Sequence, residues 1–301
     1  MQSSLTSKNV AWTNITAPAA EELAALVRET ILLPLDAEFI AYENPRPEIT
    51  VRAPYLLILI QVPVFDKQLR VTTGASLYFI IKENHLWTLQ YDSIANLEKL
   101  RQDFETNLEK QEEYFNDGAL GLAIYLINQM VNSAFRKLDR VHKHINIAED
   151  AVFQGNERKM VEEVAILARD VMDFRKIIRP HKNLFAQVPS HSLITPAVVG
   201  PWLRLHNQVN KLWEMLESLS ESTRDLGRTN SNLLQYKEGQ LLQMLTYYSI
   251  ISIPVFILLT PFNPRQEQAT IVDITIYWGV LSLLVVVLIL IFLRFKGKRV
   301  L

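Results

Sequence analysis

Apolar and polar positions along this chain keep three rhythms, and each predicts a different kind of element. Up to about residue 95 the apolar residues come in short runs: Glu48–Val51, Tyr55–Val62, Leu69–Thr72, Ser76–Ile81 and Leu86–Tyr91. Pro54, Gly74 and the Glu83-Asn84 turn separate them, the punctuation expected of β-strands. The run YLLILI from Tyr55 to Ile60 has no polar member, which predicts a central strand covered on both faces. A helix is expected ahead of the strands over Pro18–Glu29, with Pro18 in the first turn, where its missing N–H costs nothing.

From about Ile94 to Val188 the period becomes helical, with Leu122, Leu126, Met130, Ala134 and Leu138 on one stripe. Gly155-Asn156 predicts a break that folds this charged segment into an antiparallel hairpin. Pro180 and Pro189 are expected to end the return helix. The third rhythm follows a loop, PSHSLITPAVVGP: Trp202, Leu205, Val209, Leu212, Leu216, Leu219, Leu226 and Leu233 alternate three and four apart, with polar Thr223 and Asn230 in register. That is a heptad seam, closed either by helices of several subunits or by neighbouring helices of one. A continuous helix from Trp202 to Thr260 would be about 90 Å long at roughly 1.5 Å per residue.

This helix runs into an apolar segment, Met244–Leu259, whose clearly polar members are Thr246, Ser249 and Ser252. A second segment, Ile274–Leu293, carries no charge and has the ~20 apolar residues that cross a hydrocarbon core of about 30 Å. Arg294, Lys296, Lys298 and Arg299 follow it, whereas the loop PFNPRQEQAT between the segments holds one Arg and one Glu. The excess of basic residues places the C-terminus in the cytoplasm, and two spans then place the N-terminus there too. The opening MQSSLTSKNVAW, without a basic n-region and apolar h-region, agrees. The expectation is a multi-pass protein of the inner (plasma) membrane. Its parts are an α/β cytoplasmic subdomain (1–95), a helical hairpin (96–196), a long stalk helix (197–243) and two C-terminal transmembrane helices with a basic tail (244–301).

Composition narrows the chemistry. Lysine and arginine total 31 against 32 acidic residues, so no affinity for polyanions, and hence no nucleic-acid partner, is expected. The chain has no cysteine, which leaves no disulfide, thiolate metal site or thiol nucleophile. His142 and His144 stand two apart, on different faces of a helix, and do not read as a ligand pair. Asp92, Asp103, Asp117 and Asp150 could supply metal sites between subunits but read first as solvated charges, and Asp273 opens the second span. Phosphate-binding glycine loops and the His-Glu-x-x-His and Gly-x-Ser-x-Gly motifs are missing, so neither an enzyme nor nucleotide-driven transport is expected.

The order of these parts, with Glu149-Asp150-Ala151-Val152-Phe153 before the hairpin break and YKEGQLLQMLTYYSIISIP (Tyr236–Pro254) at the membrane junction, resembles the CorA-type divalent-cation transporter family over essentially the whole chain. The resemblance implies a homopentamer in membrane lipid whose first spans line a central pore for Mg²⁺ or another divalent cation, with no bound cofactor. Leu242, Leu245, Ser249, Ile253 and Phe256 share one helical stripe and would then face the pore; ordinary helix packing is the other reading of that stripe. The family's Gly-Met-Asn signature is replaced by Thr260-Pro261-Phe262-Asn263-Pro264, which keeps an Asn and lacks the Gly. Asn263 is either the ion contact at the pore mouth or a turn residue. Arg228 would oppose cation passage from the pore axis unless it pairs with Asp225. A membrane scaffold, or a channel of different selectivity, is the competing reading.

Overall fold

The computed structural model describes residues 2–7, 10–66, 70–189, 194–259, 278, 279, 282, 283 and 286. Internal contacts divide the chain into Met1–Ser231 and Asn232–Leu301. In the first unit the strands β1 (Gln2–Ser7), β2 (Val10–Thr16), β3 (Glu48–Val51), β4 (Leu56–Asp66), β5 (Val71–Lys82) and β6 (His85–Gln90) form one sheet of order β1-β2-β6-β5-β4-β3. Neighbours are antiparallel except β2 and β6, which run parallel. The helices are α1 (Ala20–Thr30), α2 (Pro34–Ile40), α3 (Ala95–Thr106), α4 (Leu108–Phe115), α5 (Gly118–Ala151), α6 (Glu157–Leu184) and α7 (Pro196–Leu259).

Strand β4 shows why the sheet is a middle layer. Leu56, Ile58, Ile60 and Val62 point into a core shared with Leu122, Leu126 and Met130 of α5. Leu57 and Leu59 point the other way, to Leu26 of α1 and Ile40 of α2. Two-sided burial of the YLLILI run follows from its unbroken apolarity, as expected. The place in the sheet differs: β4 is next to the edge strand β3 rather than central.

Other local expectations are corrected. Gly74 does not end a strand: β5 runs through it, opposite Pro63 of β4. A Cβ at Gly74 would stand 2.3 Å from Gln61 Oε1, so the glycine makes room for a cross-strand side chain instead of a turn. Pro180 lies inside α6, which continues to Leu184. The buried residues Ile178, His181 and Phe185 on either side of it hold the last turn, and tertiary packing outweighs the one intrahelical bond that proline removes. Helix α1 starts two residues after Pro18, behind Ala19. Gly155 does break the hairpin: at φ 94° it sits in a π-helical turn, Val152–Asn156, in a conformation that glycine alone adopts without strain.

Strands β1 and β2 and helix α2 were not anticipated. In β2 the polar residues Thr13 and Asn14 are buried among apolar ones, because side-chain bonds satisfy them. Trp12 Nε1 donates to Thr88 Oγ1 at 2.9 Å, and Thr88 Oγ1 donates to Asn14 Oδ1 at 2.8 Å.

The α7 seam is closed within the chain. Trp202, Leu205, Val209, Leu212, Leu216, Leu219 and Leu226 are buried, as are Thr223 and Asn230 in the same register. Trp202, Leu205 and Val209 belong to the sheet's core. Trp202 Nε1 donates to Phe185 O at 3.3 Å, and its ring meets Phe185 edge-on. From α6, Arg175 donates to Ser220 Oγ at 2.9 Å and lies 5.3 Å over the Trp213 ring. Of the two ways to close a heptad seam, this part uses neighbouring helices of one subunit.

Candidate functional site

Within the second unit α7 presents apolar side chains on every side. Leu242, Leu245, Ile253 and Phe256 of the expected stripe are exposed, Phe256 to 70%. So are Leu241, Met244, Tyr248, Ile250 and Ile251 around the rest of the circumference. A helix apolar all round is stable only among lipid or partner helices. Its hydroxyls are turned inward on the backbone. Thr246 Oγ1 donates to Leu242 O at 2.9 Å, Ser249 Oγ to Leu245 O at 3.0 Å, and Ser252 Oγ to Tyr248 O. That pattern satisfies these three hydroxyls without water. Ser249 therefore shares the stripe with its hydroxyl already engaged.

Among the described residues no helix is long and apolar enough to cross a membrane. Most of the expected second span, Asn263, Asp273 and the basic tail lie outside the described residues. Among the described residues, no group of three or more His, Asp or Glu side chains could hold a metal ion. His142 Nε2 meets Asn146 Nδ2 at 3.5 Å rather than a second ligand, and Asp92, Asp117 and Asp150 are exposed. Arg228 does pair with Asp225, at 3.4 Å and with both side chains mostly exposed, a weak interaction.

The first unit holds a polar cluster that the sequence pattern did not single out. Lys137 of α5, Thr72 of β5 and Asp170 of α6 are only 6%, 3% and 5% exposed. Lys137 Nζ donates to Thr72 Oγ1, and Thr72 Oγ1 donates to Asp170 Oδ1 at 2.5 Å. The ammonium lies 5.2 Å from the Phe65 ring and 5.3 Å from the Phe174 ring. Desolvation pulls Lys137 down to about 8, against the opposing pull of Asp170. A hydroxyl between an amine and a carboxylate is the residue set of a nucleophile with its base. No substrate reaches it here, because all three side chains are buried. The available signal was register: Lys137 falls between Ala134 and Val141 on the apolar face of α5.

Two more groups pin the α/β layers. His181 Nε2 accepts from Gln61 N at 3.0 Å while Nδ1–H donates to Ile177 O at 2.9 Å, which fixes a neutral tautomer. Burial lowers its pKa to about 4. Arg52 donates to both oxygens of Asp36, at 2.9 and 3.2 Å, and Tyr55 Oη donates to the same carboxylate. The Arg52 bond holds the Asp36 carboxyl below the usual range.

A family model described as CorA-like Mg²⁺ transporter protein matches residues 7–297. The cobalt/magnesium transport protein CorA of Thermotoga maritima is 21% identical over 302 residues, covering 96% of this chain and 82% of that protein. The CorA magnesium transporter of Methanocaldococcus jannaschii superposes with a TM-score of 0.77 at 20% identity, over 97% of this chain and 92% of that one. The full-length CmaX protein superposes with a TM-score of 0.72 at 15% identity, over 91% and 88%. At these identities the two superpositions show a shared fold.

Proposed function

We propose, from the premise that this chain belongs to the CorA-like Mg²⁺ transporter family, that it carries divalent cations across a membrane through a homo-oligomeric pore. The observation that carries the reading is the circumferential apolar exposure of α7 between Leu241 and Phe256, in a chain whose heptad seam is already closed up to Asn230. One unit is complete in itself; the other asks for lipid and neighbours.

In this reading five copies surround the pore, and Leu242, Leu245, Ser249, Ile253 and Phe256 line it. The first span is the end of α7 and the second is Ile274–Leu293, with both termini cytoplasmic. Asn263 stands at the mouth. Mg²⁺ sheds water reluctantly, so a ring of amide oxygens would bind its hydration shell rather than the bare ion. Mg²⁺ is favoured, and Co²⁺, named with magnesium for the Thermotoga relative, is the first competitor. The protein would act as a conduit and not an enzyme. Its driving force would be the membrane potential, about 2.3 kcal/mol per charge per 100 mV.

The test is divalent-ion flux into liposomes holding the purified oligomer, comparing Mg²⁺, Co²⁺, Ni²⁺ and Zn²⁺ for the unmodified chain and Asn263→Ala. Saturable uptake that the substitution abolishes is the expected result. An intact oligomer that passes none of the four would overturn divalent transport and leave the scaffold reading, which the loss of the Gly-Met before Asn263 favours.

A further inference from the structure

We propose that the α5–α6 hairpin is docked on the sheet through a buried proton-binding cluster, Lys137, Thr72 and Asp170, so that in alkaline solution undocking takes up a proton. Each member comes from a different element, α5, β5 and α6, and Phe65 of β4 closes the cluster from a fourth. Separating the hairpin from the sheet takes Thr72 and Phe65 away from Lys137 and opens that side of it to water. A second link between the same layers, the exposed pair Arg70–Glu163 at 2.7 and 3.1 Å, holds charges that both stay ionised and adds no proton linkage near neutrality.

Among the described residues, the charges facing Lys137 are few. From α6 comes Asp170, which favours the ammonium; from its own helix comes Arg140, which opposes it. The β5 and β4 side chains in contact, Thr72 and Phe65, carry no charge. Desolvation outweighs the carboxylate and leaves the docked amine at about 8, against 10.5 for an exposed lysine. Between those two values the undocked form binds more protons than the docked form, so docking strengthens as pH rises through that window and weakens as pH falls towards 8. Below about pH 8 both forms are protonated, and the dependence levels off.

The measurement is amide hydrogen exchange on the full-length protein in detergent. Rates for β5 and α6 would be expressed relative to an unfolded peptide of the same sequence at the same pH, which removes the intrinsic pH dependence. Protection is expected to rise about 25-fold between pH 7 and pH 9.5. Lys137→Met, which fills the same space without a proton, is expected to flatten the rise. Asp170→Asn is expected to move it to lower pH, since the ammonium loses its supporting charge. Wild-type protection that is flat or falls with pH would overturn the proposal, even if neither variant folds. So would an unchanged rise in a folded Lys137→Met protein, because a purely structural cluster could produce that result and a proton-binding one could not.

Discussion

His181 combines a fixed tautomer with full burial, and that combination makes it sensitive to acid. Its folded pKa of about 4 lies below the ordinary 6.5 of histidine, so the unfolded chain holds the extra proton between those values. Stability is then lost as pH falls from about 6.5 towards 4, with a contribution of about 3 kcal/mol from this group. Comparing denaturation midpoints at pH 7 and pH 5 for the native protein and His181→Gln isolates the effect. The variant should lose less on acidification, and equal losses would assign the acid sensitivity to carboxylates. Neither His181 nor Lys137 was legible in sequence, for one reason. A polar residue on an apolar face looks the same whether it snorkels to water or is bonded inside, and the bond to Lys137 comes from Thr72, 65 residues away.

Elements were more legible than residues, because periodicity reports which face is buried. The helical stripe of α5, the break at Gly155 and the two-sided burial of β4 all followed from pattern. Gly74 and Pro180 misled because both are punctuation only when nothing nearby needs their shape. The seam of α7 was visible as a seam, but its partner was not: a heptad repeat states that something packs, and the α5–α6 hairpin turned out to be that something. This gives a prediction for Leu212, which is fully buried. Leu212→Ala should cost about 2–5 kcal/mol. Subunit number, read by native mass spectrometry, should stay the same in the protein that remains folded. A change of subunit number at Leu212 would mean that the seam lies between chains.

At the scale of the molecule, family membership places the chain among Mg²⁺ transporters, and the apolar circumference of α7 supplies the contrast that tests the pore. At 100° per residue Ile251 lies on the side of the helix opposite the stripe through Leu245. Leu245→Ser is expected to keep assembly and raise or retain ion flux, since a polar group facing an aqueous pore costs little. Ile251→Asp faces lipid or a neighbouring helix, where a charge costs about 2.5 kcal/mol or more, and should reduce membrane-inserted protein. The reverse outcome in membrane fractionation and flux assays would rotate the helix by half a turn and move the pore to its other side. The order of the parts made the family legible, whereas most of the second apolar segment and Asn263 lie outside the described residues and their part rests on the sequence alone.

A chain that closes its own seam brings a first unit that is already folded to its siblings. In a homo-oligomer this separates two kinds of genetic defect. On the proposed pore, a subunit spoiled at Asn263 would still fold, still be recruited, and silence the ring it joins, so such alleles should be dominant over an intact copy. A subunit spoiled at Leu212 would be cleared before assembly and should be recessive. Inheritance pattern alone would then sort substitutions in this protein into those that damage conduction and those that damage the fold.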